Sequence, residues 1–350
     1  MAKKIVFVVG AGASTEANLP DGKKLISEIP KLLGARKDDD RIIEDRMDVS
    51  IKNALKKYSE VKNKISTLSL FMKEIGNLTD ALKYAISIDN LIDTHQDNSK
   101  LVLCGKLAII QAILKAEKGS HLYVDQTIIN PINPCFNKPL ALDKTWYIPF
   151  LKLITEGCTK AEIKERFKCI TLIIFNYDRC IEHFLYHALQ KYYIISGAEA
   201  AELITYLNIY HPYGTVGTLP WSHGKHSINF GADIHENKLM ELVREIKTFT
   251  EETGQNSSDI LGIRNHMYTA SEVVFLGFAF HKQNMQLITP CDPKGNKRRL
   301  CFASTMGISD SAQTIIEAQI KGLYKWAPVV FMKKTSCSDF FAEYWKNIAF

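Results

Sequence analysis

Lys3-Lys4-Ile5-Val6-Phe7-Val8-Val9-Gly10-Ala11-Gly12-Ala13-Ser14 is the stretch from which the rest of the chain can be read. A run of β-branched and aromatic residues entering two glycines predicts a buried strand that stops at a tight turn, where something must come close to the backbone. A helix is expected to follow. In a doubly wound α/β fold such a turn holds a phosphate, because glycines clear the approach and the next helix offers unpaired N–H groups with partial positive charge. The full GxGxxG spacing is absent, since Thr15 stands where the third glycine belongs. Taken alone, the motif also fits a structural bend.

Working outward, five further runs share the apolar character of the first. Ile170-Thr171-Leu172-Ile173-Ile174-Phe175 lacks polar alternation, as a strand covered on both faces does, and ends at Asn176-Tyr177-Asp178. Leu207-Asn208-Ile209-Tyr210 delivers His211-Pro212-Tyr213-Gly214-Thr215-Val216-Gly217 at its end. Val273-Val274-Phe275-Leu276-Gly277-Phe278 repeats the plan of the opening, with a helix expected from Asn284. Leu300-Cys301-Phe302-Ala303 and Pro328-Val329-Val330-Phe331 are the last two candidates, separated by a predicted helix over Asp310 to Lys321. In an open parallel sheet ligands sit beyond the carboxyl ends of the strands, which would bring Gly10, Gly12, Asn176, Asp178 and His211 to one edge.

The intervening sequence is helical in pattern. Glu16 to Gly22 reads as a short helical start broken by a turn, and Lys23 to Glu28 as a helix ended by Pro30; this stretch is expected to form a flap over the phosphate site. Ile51, Leu55, Tyr58, Val61, Ile65 and Leu68 recur at intervals of three and four, the mark of an amphipathic helix packing on a core. Helices are also expected at Thr79 to Ile86, Leu101 to Glu117, Trp146 to Leu153 and Ile181 to Gln190, with a loop at Asn130-Pro131-Ile132-Asn133-Pro134. The fold class expected is therefore α/β, a Rossmann-like parallel sheet with flanking helices and a large helical insertion. Its domains would be 1–30 with 166–350 for the sheet and 31–165 for the insertion.

Composition supports a globular chain and excludes several classes. Hydrophobic residues make up 46% of the 350, ample for a sizeable core. The net charge of +6, from 44 basic and 38 acidic residues, is too mild to indicate direct nucleic-acid binding, and Lys297-Arg298-Arg299 reads as a solvated turn. Eight cysteines, at 104, 135, 158, 169, 180, 291, 301 and 337, contain no CxxC pair and read as reduced, mostly buried thiols. The N-terminal apolar run is a strand and not a signal peptide, and no apolar stretch reaches the roughly 18 residues of a membrane span; Leu101 to Leu114 is interrupted by Lys106. A cytoplasmic location without membrane contact is expected.

Taken in order, Gly10-Ala11-Gly12-Ala13-Ser14, Phe175-Asn176-Tyr177-Asp178, His211-Pro212-Tyr213-Gly214 and Leu276-Gly277-Phe278 resemble the signature of the sirtuin superfamily. The chain differs from that pattern in carrying Phe175 and Tyr177 around the asparagine, and Pro212-Tyr213 between the histidine and its glycine. More particularly it is similar to the sirtuin-like proteins of bacterial antiphage defence, through Ser87-Ile88-Asp89, Gly105-Lys106-Leu107-Ala108-Ile109 with Glu117, Trp146-Tyr147, and Leu276-Gly277-Phe278-Ala279-Phe280. The resemblance implies an NAD+ glycohydrolase that depletes the cofactor, with NAD+ as substrate and no metal. Some members of that branch act with a HerA-type hexameric ATPase, and because a toxic hydrolase must be held off until needed, regulation through assembly as a homo-oligomer is expected. The alternatives are an NAD-dependent protein deacylase and a module that senses NAD+ or ADP-ribose without turnover. Against deacylation stand the absence of paired CxxC motifs for a zinc ribbon and Gly22-Lys23 in place of a Phe-Arg pair.

Cleaving nicotinamide from ribose passes through an oxocarbenium-like state, so the protein must hold the ribose and admit water. By resemblance Asn176 binds a ribose hydroxyl or positions the water. His211, neutral near pH 7 at its ordinary pKa of roughly 6.5, would be the base. Asp178 either stabilises developing positive charge or caps the helix beginning near Cys180. Ala11, Gly12 and Ala13, with Gly10 and Ser14, would receive the pyrophosphate, and Gly277 and Phe278 would border the ribose or adenine.

Overall fold

A computed structural model describes residues 3–35, 42–63, 68–125, 136–252, 258–290 and 299–350. The 130–134 loop, Ile65, Cys135, Cys291, Lys297 and Arg298 lie outside the described residues. The chain forms two compact units: Met1–Asn18, Ser120–Pro212 and Glu252–Phe350 make the first, Leu19–Gly119 and Tyr213–Glu251 the second.

The first unit is built on a six-stranded parallel sheet. Its strands are β1 (Ile5–Val9), β2 (Ile170–Ile174), β3 (Asn208–Tyr210), β4 (Glu272–Leu276), β5 (Leu300–Ser304) and β6 (Val329–Lys333), in the spatial order β3-β2-β1-β4-β5-β6. This is the Rossmann-like doubly wound order, in which the chain leaves β1 in one direction and returns at β4 on its other side. Register is shared across the centre: Val9 lies opposite Ile174 of β2 and Leu276 of β4, so the turns after all three strands end level. β1, β2 and β4 are buried along their whole length, which is why their sequences carry no alternation.

The sequence reading puts residues up to 165 in the helical insertion, whereas Ser120 to 165 belong with the sheet. The reason lies in the aromatic face of the helix Tyr147–Thr155. Phe150 meets Phe7 of β1 edge-on at 5.2 Å, Trp146 donates its indole N–H to Ala13 O at 2.9 Å, and both Trp146 and Phe150 are fully buried. The C-terminal helix Cys337–Ile348, which the sequence reading did not anticipate, lays Phe341 parallel to the Trp146 indole at 6.2 Å.

The second unit is helical. Its helix Ser99–Gly119 is buried nearly all round, with Leu101, Cys104, Leu107, Ile109, Ile110 and Leu114 inside, as expected of a central core helix. Lys106 is tolerated there because its ammonium reaches both oxygens of Glu251 at 2.8 and 2.9 Å. Gly105 lies where a Cβ would come within 2.7 Å of Ile92. The 51–68 stripe is carried by two helices, Val49–Asn63 and Leu68–Leu82. Pro30 does not end its helix, which runs Gly22–Leu32. A proline in the last turn removes only one intrahelical bond, and Asp21 anchors the other end by accepting from Lys24 N. Among the described residues no helix is long and apolar enough to cross a membrane.

Candidate functional site

The turns after β1, β2, β3 and β4 meet at the carboxyl edge of the sheet. The opening turn is held first by its glycines. Gly10 N–H donates to Leu276 O at 2.9 Å and Gly12 N–H to Gly277 O at 3.0 Å, while Gly277 N–H donates to Ser304 Oγ at 3.0 Å. A Cβ on Gly10 would sit 2.5 Å from Gly277 O, and one on Gly12 2.8 Å from the same atom. Gly277 itself has φ +53° and faces the Ala13 backbone nitrogen. The close approach foreseen for these glycines is thus made by the turn after β4.

This contact changes what the turn offers. With Ala13 N–H donating to Gly10 O at 3.0 Å, two of the three amides expected to receive a pyrophosphate are already engaged, and Ala11 N–H is the one left. The helix Ala11–Ser14 is a single turn. Phe278 is 2% exposed, among Phe175, Phe275 and Phe280 at ring separations of 5.0 to 5.8 Å, so it packs as core and does not border an open cleft.

Asn176, Ser14 and Asp178 form one buried chain of hydrogen bonds. Asn176 Nδ2 donates to Ser14 Oγ at 2.8 Å and to Gly10 O at 3.2 Å. A carbonyl can only accept, so this second bond fixes the orientation of the amide. Ser14 Oγ in turn donates a hydrogen bond to Asp178 Oδ2 at 2.8 Å, and Asp178 Oδ1 accepts one from Cys180 N–H at 3.1 Å, at the start of the helix Cys180–Tyr192. Asp178 thus engages the first amide of that helix from the position before its N-cap residue Arg179. Burial pushes its carboxyl pKa up, and the bonds from Ser14 and Cys180 recover only part of that. The Tyr147 phenol, buried beside Ser14 and Cys180, has its pKa driven well up by the same loss of water. Asn176 Oδ1 is buried and has no hydrogen-bond partner.

His211 joins the cluster from the end of β3. Its Nδ1 lies 3.2 Å from the Asn176 backbone oxygen and its Nε2 2.6 Å from Glu182 Oε1, in the first turn of the helix after β2. Both nitrogens face acceptors, an arrangement that suits the doubly protonated imidazolium. Burial alone would lower its pKa, but the Glu182 carboxylate, the Asn176 carbonyl and the more distant Asp178 outweigh burial and raise it. The pairing thus favours the protonated ring, against the neutral one expected from the sequence.

That pairing makes stability depend on pH. A histidine whose folded pKa exceeds its unfolded value of about 6.5 holds its proton more tightly in the fold. The resulting stabilisation is complete below about pH 6.5 and is lost as pH rises through the folded value. Thermal melts of wild type and His211→Gln should therefore show the largest difference near pH 6, narrowing steadily towards pH 9; a gap that widened over that range would contradict the ion pair.

Glu182 is the site residue that sequence reasoning missed. Twenty-nine residues separate it from His211, and no motif links them. The usable signal is positional, since a carboxylate in the first turn of a helix following a strand lies near the sheet's carboxyl edge. Gly214, three residues after His211, falls in the second unit, where φ +72° and an antiparallel bridge to Ile246 explain it. Among the described residues no group of three or more His, Cys, Asp or Glu could hold a metal ion. An open groove of about 700 Å³ between the helices Tyr147–Thr155 and Cys337–Ile348, lined in part by Lys144, Lys152, Ser338 and Trp345, contains none of the candidate residues.

No family model matches the chain, and no curated protein matches it. The functional reading consequently rests on the sheet order and on the Ser14, Asn176, Asp178, Glu182 and His211 cluster, together with the motif resemblance.

Proposed function

We propose that this protein is an NAD+ glycohydrolase, releasing nicotinamide and ADP-ribose, and that it serves antiphage defence by depleting NAD+. The observation that carries the reading is the meeting of Asn176 and His211 at the end of a β3-β2-β1-β4-β5-β6 sheet, with Asn176 Oδ1 buried and unpartnered. A lone acceptor is suited to a hydroxyl donor such as a ribose presents. His211 beside it can exchange a proton with that hydroxyl or with water once one of its two hydrogen bonds is given up. The closed network around Ser14 supports an enzyme that opens on activation, in keeping with a regulated homo-oligomer or a HerA-type partner.

The experiment is incubation of NAD+ with the purified protein, alone and with its neighbouring operon product, followed by mass spectrometry. Nicotinamide and ADP-ribose should accumulate in equal amounts, and Asn176→Ala should abolish both while retaining a wild-type circular dichroism spectrum. A second reading, a module that binds NAD+ without turnover, is favoured by the burial of Ser14, Asn176 and Asp178, which keeps attacking water from them. It predicts NAD+ recovered intact, with heat of binding in calorimetry. Peptide deacylation in place of nicotinamide release without acceptor would reverse the assignment.

A further inference from the structure

The two hydrogen bonds of His211 are unequal. Nε2 to Glu182 Oε1 is 2.6 Å, a short bond between a cation and an anion, whereas Nδ1 to the Asn176 carbonyl is 3.2 Å, long for a bond to a neutral acceptor. The side chains of His211 and Glu182 are only 12% and 14% exposed, so the pair is weakly screened. Glu182 Oε2 has no hydrogen-bond partner, which leaves His211 as the group that carboxylate serves.

The geometry points to Glu182 as the positioning residue of His211: it retains the Nε2 proton and thereby makes Nδ1 the nitrogen that exchanges a proton with the substrate hydroxyl or water. This rests on the hydrolase reading above. The proton that leaves is the one on Nδ1, since a proton on Nε2 faces a carboxylate at short range. Once Nδ1 is deprotonated its lone pair faces the Asn176 carbonyl oxygen 3.2 Å away, an unfavourable contact that is relieved when the two atoms separate and a hydroxyl donates to Nδ1. In the forward step the hydroxyl O–H bond breaks, the Nδ1–H bond forms, and the electron pair stays on the hydroxyl oxygen. The groups setting this titration are Glu182 from the helix after β2, and Asp178 and the Asn176 carbonyl from the turn before it.

Nitrogen-15 NMR of the His211 ring in the full-length protein tests the pairing without relying on turnover. Wild type should show both ring nitrogens protonated below a midpoint that lies above the ordinary histidine value of about 6.5. Glu182→Gln should lower the titration midpoint, and above its own midpoint the neutral ring of wild type should keep its proton on Nε2. In parallel, Glu182→Gln should slow nicotinamide release about a hundredfold with KM for NAD+ little changed, and move the pH profile with the midpoint. Should Glu182→Gln misfold, Glu182→Asp, which keeps the charge but shortens its reach, should give an intermediate midpoint and rate. An unchanged midpoint, or a neutral ring protonated on Nδ1, overturns the proposal, as does full activity of Glu182→Gln with an unshifted profile. If wild type releases no nicotinamide yet the midpoint shifts, the pairing stands and the hydrolase reading falls.

Discussion

Gly277→Ala is expected to cost about 4 kcal/mol or more of stability, enough to leave much of the protein unfolded at 37 °C. Two penalties coincide at this residue. Its φ of +53° is a left-handed conformation that a side chain adopts at a cost, and a Cβ there would overlap the Ala13 nitrogen and the Gly12 carbonyl carbon. The obstructing atoms are backbone atoms of a turn whose amides are bonded to Leu276 and Gly277, so they have nowhere to go. Gly10→Ala should be nearly as damaging, because its Cβ would stand 2.5 Å from Gly277 O. Gly22→Ala is the control: nothing lies within 4 Å of its Cβ, and it begins a helix, so it should be neutral or slightly stabilising. Urea denaturation followed by circular dichroism distinguishes the three. A Gly277→Ala protein with wild-type stability would show that the turns are not packed as described.

His211→Ala should reduce nicotinamide release by about a hundred- to ten-thousand-fold, the usual worth of a positioned acid–base group. It should also destabilise the fold by about 3 kcal/mol, because removing His211 leaves the Glu182 carboxyl group mostly buried and without its partner. Low activity in this variant alone is therefore open to two causes. The double variant His211→Ala with Glu182→Gln removes both charges and should recover most of the stability while remaining inactive. Since the two side chains touch, the pair should be strongly non-additive in stability. Nicotinamide release at the wild-type rate from the well-folded double variant would remove His211 from the chemistry.

The six strands were legible because five of them are apolar runs of four or more residues bounded by glycine or polar turns, and a parallel sheet buried on both faces demands such runs. β3 was legible for a different reason, the histidine-proline-glycine loop that follows it. Strand order is not written in any single strand; it follows from which run must stand beside β1, and the paired glycines at 10, 12 and 277 are its one local trace. The same glycines misled the reading of function. Sequence shows that something approaches them closely, and both a phosphate and a neighbouring carbonyl satisfy that condition. Glu182 was invisible because an ion pair across two strand ends leaves no spacing rule. The helix Ser258–Thr269 was missed although Ile260, Ile263 and Met267 keep helical spacing, since Gly262, Asn265 and Thr269 are poor helix formers. The division at residue 120 depends on where Trp146 and Phe150 pack, which only the folded chain reveals.

Glu16 accepts from Trp146 N at 2.8 Å and from Ser338 N at 3.1 Å, tying the residue just past the opening turn to the starts of two helices. Together with Gly277, these contacts mean that a turn synthesised among the first residues is held by partners 130 to 322 positions later. On the ribosome the turn therefore waits. Until residue 338 has emerged, Glu16 lacks one of its two partners, and until residue 277 has emerged Gly10 and Gly12 have no surface to pack on. The sheet edge is therefore assembled only when the late segments of the chain join it.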